Sequence, residues 1–303
     1  MKFREIIGKT KIDFIGMRSK SFVLSGILIL LGFIAIGMLF AGKANLSVDF
    51  TGGTNLRLRF QETVSIGDLR NTLSAKGLHD VQIQEVTGTK DFLVKTKIVD
   101  TDKEKVADKV QNIISTNMPG KKYEVLESNM VGPMVGEKLR RDAIIAIIFS
   151  FIGIILYIWI RFNFVFGITA TIATFHDVIS MLGIFVLLGR EMNILFITAL
   201  LTIAGYSLTD TVVIFDRIRE NMAKMKNKEE FGPTINRSIN EVLSRSIVTS
   251  ISTFLVVVVL LFAGGAVLFD FALALLLGVF IGSYSSIFVA APIIFLLRKK
   301  IRQ

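Results

Sequence analysis

The chain has 303 residues, of which 52% are hydrophobic and 20% charged, with a mean hydropathy of +0.61. A soluble domain of this size is nearer about 45–50% apolar and about 25% charged, so an ordinary cytoplasmic enzyme is excluded. The formal net charge of +10 lies in short basic segments beside apolar blocks, a positive-inside pattern and not a nucleic-acid footprint.

Residues 1–20 carry six Lys/Arg against two acids and read as a cytoplasmic N-terminus. The apolar block 21–41 is too long for the hydrophobic core of a signal peptide, and Leu39-Phe40-Ala41 is a poor cleavage site, so a retained membrane anchor is expected. Residues 42–141 form one large segment on the outer side. Asn55–Phe60 alternates like a half-buried strand, and Ser65–Lys76 reads as a capped helix with Asp68 at the capping-box position. Val81–Val86 and Phe92–Ile98 read as strands around a Thr87-Gly88-Thr89 turn. Thr101–Asn117 is an amphipathic helix stopped by Met118-Pro119-Gly120, and Lys122–Glu127 closes with a strand. The order β-α-β-β-α-β predicts a ferredoxin-like α+β unit; an irregular loop domain is the alternative.

Five more spans follow at 142–160, 163–188, 193–215, 246–268 and 271–297, each about the 20 residues that cross a bilayer core. The loop 216–245 and the tail 298–303 are basic, which places them and both termini inside. Within the loop, Ile218–Lys228 continues the fourth span as a charged helix, and Gly232-Pro233 opens another that runs into the fifth span.

An ionisable residue inside a bilayer is costly and marks a pathway or relay by default. Asp210 lies in the fourth span about 10 Å from its inner end, with Tyr206 and Thr209 on the same face and Thr202 a turn away. Arg245 heads the fifth span and is followed by Thr249 and Ser252/Thr253. A long, permanently charged arginine there is a candidate partner for Asp210. His176-Asp177 lies in the third span and is a further candidate pair. For each of these a polar helix contact without turnover is the alternative. Asp216-Arg217 is expected to form an interfacial ion pair that anchors the topology. Gly278 and Gly282 form a GxxxG continued by Ser283, Ser285, Ser286, Ala290 and Ala291, a small surface for close helix contact.

Gly52-Gly53, in Val48–Gly53 (VDFTGG), lacks the lysine and following helix of a phosphate loop and reads as a backbone turn. Without cysteine there are no disulfides, thiolate metal sites or cysteine nucleophiles, and the two histidines, His79 and His176, are too few for a three-histidine site. No cofactor, metal or enzymatic activity is expected.

Six blocks carry a resemblance: Val48–Gly53, Val131–Ala143 (VGPMVGEKLRRDA), His176-Asp177, Gly205–Asn221 (GYSLTDTVVIFDRIREN), Ile235–Ile247 (INRSINEVLSRSI) and Ser283–Pro292 (SYSSIFVAAP). Together they resemble SecF, the accessory-subunit family of the bacterial preprotein translocase. The resemblance implies half of a resistance-nodulation-division transporter core, with SecD supplying the other six spans. It further implies action with the SecYEG channel and the ATPase SecA. Inward proton flow would drive outer-domain motion that completes preprotein export in the bacterial inner membrane. Asp216 stands where the SecD block typically has glutamate, which favours SecF. Thr209 stands where family members often have asparagine. Two rival readings are half of a small-molecule transporter and a scaffold that only stabilises SecD.

Overall fold

The computed structural model describes residues 10–76, 78, 81–85, 90–96, 106–225 and 231–297. The predicted turn at Thr87–Thr89, His79, the first residues of the helix expected from Thr101, part of the loop 216–245 and the tail 298–303 lie outside them. Among the described residues, six helices are long and apolar enough to cross a membrane. The chain divides into two compact units: a helical unit, and a second unit made of Leu46–Ala146 together with Glu191–Ile194.

The helical unit contains α1 (Arg18–Phe40) and most of α5 (Pro133–Arg161), followed by α6 (Phe164–Leu187). It continues through all but the first residue of α7 (Ile194–Ala223), then α8 (Phe231–Ala263) and α9 (Gly265–Ser285). A π-helical turn (Ser286–Ala290) then leads into α10 (Ala291–Leu296) and completes the sixth span. Asn163 starts α6 by accepting a hydrogen bond from the Phe166 amide at 3.2 Å, which satisfies one orphan donor of the first turn. Within their most apolar stretches α6 and α7 are 56% and 50% buried, against 11–17% for α1, α5 and α8. The chain therefore encloses two helices, and these two carry His176, Asp177 and Asp210. Phe185 stacks on Phe196 at 4.2 Å, and Phe166, Phe215, Ile214, Ile235 and Ile294 fill a fully buried cluster.

Three boundaries differ from the expected blocks. The break between the last two spans falls at Gly264-Gly265, where Gly265 takes φ +70°, so 265–268 begin the sixth helix instead of ending the fifth. Helix α7 stops at Ala223, short of the expected Lys228. Helix α5 begins at Pro133, nine residues before the apolar block, because proline suits a first turn and Arg140 and Arg141 continue the helix in solvent.

The second unit begins with a short α2 (Val48–Thr51), capped by the Ser47 hydroxyl, which accepts from the Asp49 amide. Gly52 and Gly53 follow with φ +71° and +136°, conformations that a side chain would strain. A Cβ on Gly136 would press against the Gly52 amide nitrogen, at 2.8 Å, so this turn lies directly on the start of α5. Then come β1 (Gly53–Phe60), α3 (Ile66–Ser74), β2 (Val81–Glu85), β3 (Asp91–Thr96), α4 (Val106–Asn117) and β4 (Tyr123–Val131). The sheet is antiparallel in the order β2-β3-β1-β4, which is the ferredoxin-like arrangement. Leu56, Leu58 and Phe60 alternate onto the helix-covered face with Val94, Leu69, Leu73, Val110 and Ile114, and Phe60 meets Phe92 edge-on at 5.5 Å. Arg57 and Arg59 take the opposite face.

Those arginines converge on Asp91, whose side chain is fully buried. Arg57 Nη2 and Arg59 Nε each donate to its carboxylate at 2.7 Å. The hydrogen bonds from Arg59 first, and then Arg57, outweigh desolvation and hold the Asp91 carboxyl below the usual range. A depressed folded-state value gives stability that is present above the ordinary carboxylate pKa and lost as pH falls through the folded one. Asp91→Asn is expected to cost about 1–3 kcal/mol at neutral pH. It should also flatten the acid limb of unfolding, followed by a fluorophore at a Lys90→Cys position. An unchanged acid limb would remove Asp91 as its cause.

The buried carboxylates of the helical unit

Two polar clusters meet on α7. Asp177, on α6, is fully buried and His176 is 2% exposed. His176 Nδ1 lies 3.0 Å from Asp177 Oδ1, and the hydroxyls of Ser207 on α7 and Ser285 at the end of α9 both donate to Asp177 Oδ2, Ser285 at 2.8 Å. Thr211 and Ser286 pair at 2.8 Å immediately beside them, and Ser286 also donates to the Ser207 carbonyl at 3.3 Å. Ser285 and Ser286 sit where α9 passes into the π-turn. A π-turn shifts the helix register, a deformation found frequently at functional sites. The His176 ring lies 6.3 Å from Tyr284, whose hydroxyl donates to the Ser21 carbonyl of α1 at 2.7 Å and pairs with Ser25 at 3.0 Å. Helices α6, α7 and α9 thus meet at one imidazole–carboxylate pair, and α1 joins them through Tyr284. His176 Nε2 and the Ser180 hydroxyl are buried with no hydrogen-bond partner among the described residues.

Asp210 lies one turn beyond Ser207 and is 7% exposed. Ser246 and Ser250 of α8 lie in the neighbourhood of its carboxylate, and the Arg245 guanidinium is within electrostatic range. Arg245 is itself exposed and forms no ion pair among the described residues. Asp210 Oδ2 and the Tyr206 hydroxyl are buried without a partner among the described residues. A carboxylate so placed is costly while charged and unpaired, which suits a group that changes protonation or partner.

Several expected placements are corrected. Thr209 does not share the buried face of Asp210: it is exposed, and its hydroxyl returns to the Gly205 carbonyl at 3.2 Å. The buried stripe of α7 runs through Ala204, Ser207, Leu208 and Thr211, and one residue of helix turns Thr209 about 100° away from Asp210. Thr202 is likewise exposed and bonds the Thr198 carbonyl. Asp216 and Arg217 do not pair with each other, since adjacent helical residues diverge by the same angle. Asp216 takes Arg161 of α5 at 2.7 Å, while Arg217 takes Glu241 of α8 and Glu220, both at 2.6 Å.

Gly278 and Gly282 do meet another helix. A Cβ at Gly278 would collide with Ile203, and one at Gly282 would come within 2.9 Å of the Ser207 Cβ. The small-residue motif therefore brings α9 close enough for Ser285 and Ser207 to share Asp177. Sequence reasoning misses Ser207, Thr211 and Tyr284 as site residues, because a hydroxyl in a span carries no signal until its neighbours are known. The run of small polar residues Ser283–Ser286 is the available hint.

The family model for the C-terminal region of the protein export membrane proteins SecD and SecF matches residues 110–300, and the SecD/SecF GG motif matches 38–64. The chain belongs to the SecD/SecF protein-export family. It is 49% identical to the protein translocase subunit SecF of Thermodesulfovibrio yellowstonii over 97% of each chain. Identity to the SecF of Calditerrivibrio nitroreducens is 36% over 98% of each. The crystal structure of SecDF from Thermus thermophilus, a translocon-associated membrane protein, superposes with a TM-score of 0.83 at 38% identity. That match covers 96% of this chain but 39% of the SecDF chain. SecDF in its super-membrane-facing form gives a TM-score of 0.68 at 37% identity. The family role is protein transport by a membrane subunit, and the six-span core with an inserted ferredoxin-like domain is the SecF-like part of that architecture.

Proposed function

We propose that this SecF-like chain pairs with a SecD half and uses the proton motive force to complete preprotein passage through SecYEG after SecA has driven entry. The observation that carries the reading is Asp210, a buried carboxylate with an unpartnered oxygen on one of the two most enclosed membrane helices. The length of SecDF beyond the matched 39% leaves room for the SecD half. Asp210 is the group that takes up and releases the coupling proton, and Arg245 is its cationic partner in the ionised state. Tyr206 and the pair His176 and Asp177 complete the polar path. Asp216, Arg217, Gly278 and Gly282 set helix contacts, and Gly52-Gly53 sets the turn before the sheet. In the rival reading the same polar groups only hold a scaffold for SecD, and the Asp210 substitution argued in the Discussion separates the two.

The reading places the chain in the bacterial inner membrane with residues 42–141 outside and both termini and 216–245 in the cytoplasm. With no native cysteine, single substitutions report sidedness cleanly. On intact cells a membrane-impermeant thiol reagent is expected to label Lys90→Cys and to spare Lys224→Cys. The reverse pattern would invert the topology.

A further inference from the structure

Residues 191–193, between α6 and α7, and Ile194, the first residue of α7, group with the sheet-bearing unit and not with the rest of the helices that they join. Leu46 and Met192 form a parallel bridge, and the Ser47 amide donates to the Met192 carbonyl at 3.0 Å. Lys95, on β3, forms an ion pair with Glu191, and their side chains are only 14% and 6% exposed. Asp49, inside the Val48–Gly53 block, accepts a hydrogen bond on Oδ2 from the Ile194 amide at 3.2 Å.

Ile194 is the first residue of α7. The first amides of a helix lack intrahelical acceptors, and a carboxylate there satisfies one while meeting the positive end of the helix dipole. Asp49 is thus a cap supplied from a distant part of the sequence to the helix that bears Asp210. Sixteen residues along α7, about 24 Å at 1.5 Å per residue, separate the capped end from that carboxylate. A buried ion pair that loses one partner leaves an uncompensated charge, so the strap is fastened and not merely apposed.

We propose that Asp49 and the Lys95–Glu191 pair are positioning residues that fasten the sheet-bearing unit to the first turn of α7, so that displacement of that unit is delivered to the helix of Asp210. The inference rests on the proton-coupling reading above. It also explains both halves of the Val48–Gly53 block, whose aspartate caps α7 while its two glycines turn the chain into β1.

The test uses the full chain assembled with a SecD half and the channel, and measures gradient-dependent completion of translocation beside ATP-driven entry. Asp49→Ala and Glu191→Ala are expected to lose most of the gradient-dependent step and to keep ATP-driven entry. Asp49→Asn, which still accepts at the cap, should retain that step. The charge exchange Lys95→Glu with Glu191→Lys should restore what Glu191→Ala loses. Leu46→Cys with Met192→Cys places thiols across a bridge whose Cα separation of about 5 Å suits a disulfide. Because the fastening is permanent, the oxidised and reduced forms of the same sample should complete translocation alike. Two results would overturn the proposal: arrest on oxidation, which means that the strap must open, or normal completion in Asp49→Ala and Glu191→Ala. Asp210→Asn, run in parallel, keeps the two questions apart, since its normal completion would remove the coupling reading itself.

Discussion

Asp210→Asn is expected to abolish the gradient-dependent stage of secretion while leaving complex assembly and ATP-driven entry intact. The amide has nearly the shape of the carboxyl and still faces Ser246 and Ser250, so the α7–α8 contact survives. On the proposed reading, what disappears is the ability to alternate between a charged state that attracts Arg245 and a neutral state that does not. A membrane potential supplies about 2.3 kcal/mol per charge per 100 mV. Since about 1.4 kcal/mol is a factor of ten, one proton biases a two-state equilibrium about fortyfold. That suffices to shift helix arrangements near balance but not to unfold a domain. Secretion assayed across a range of external pH decides the matter: a normal Asp210→Asn profile would leave only the scaffold role. Asp177→Asn is expected to be milder. Its amide oxygen can still accept from Ser207 and Ser285, and its amide hydrogens can serve His176 Nδ1 in one tautomer. Asp177→Ala strands the Ser207 hydroxyl, at about 1–3 kcal/mol, while Ser285 can still donate to the Gly282 carbonyl; lower yield of folded chain should follow.

The spans were legible because twenty apolar residues in a row have few other uses, and the sheet because β1 alternates cleanly from Leu56 to Phe60. Legibility failed where tertiary contacts override local pattern. Strand β4 was expected to end at Glu127 but runs to Val131, because a bulge between its pairings with Arg57 and Leu58 inserts Leu126 and breaks the alternation. The segment Ser128–Met130 then pairs with Thr54–Leu56. In the site, isolated acids announced Asp177 and Asp210, since charge is rare in spans. Their partners are serines that look like packing residues in one dimension. Pairings across the chain, such as Arg161 with Asp216 and Arg190 with Asp270, were invisible because they join loops and helix ends far apart in sequence. Arg190 and Glu191, neighbours that cancel in the charge sum, in fact serve different units: Arg190 binds Asp270 and Glu191 binds Lys95.

Gly183→Leu is expected to cause the largest structural loss in the helical unit, through a contact that no motif announced. Helix α1 crosses α6 with Gly32 against Gly183. A Cβ on Gly183 would strike the Gly32 backbone, and one on Gly32 would strike Ile179. Both obstacles are backbone or a β-branched side chain held in the crossing, so the helices must separate. Overpacking of this kind costs about 1–3 kcal/mol. In lipid no water-driven force restores the pair, because acyl chains solvate the parted surfaces as well as the helices solvate each other. The damage then travels to the site: α1 holds Tyr284 through Ser21 and Ser25, and Tyr284 stands beside the His176 ring. Even Gly183→Ala introduces the clashing atom and should lower thermal stability in detergent. Gly37 and Gly26 lie on the same α1 helix, and a Cβ added at either would have nothing within 4 Å, so Gly37→Leu and Gly26→Leu should be neutral. Equal stability of Gly183→Leu and Gly37→Leu would mean that the α1–α6 crossing contributes nothing to holding the buried cluster.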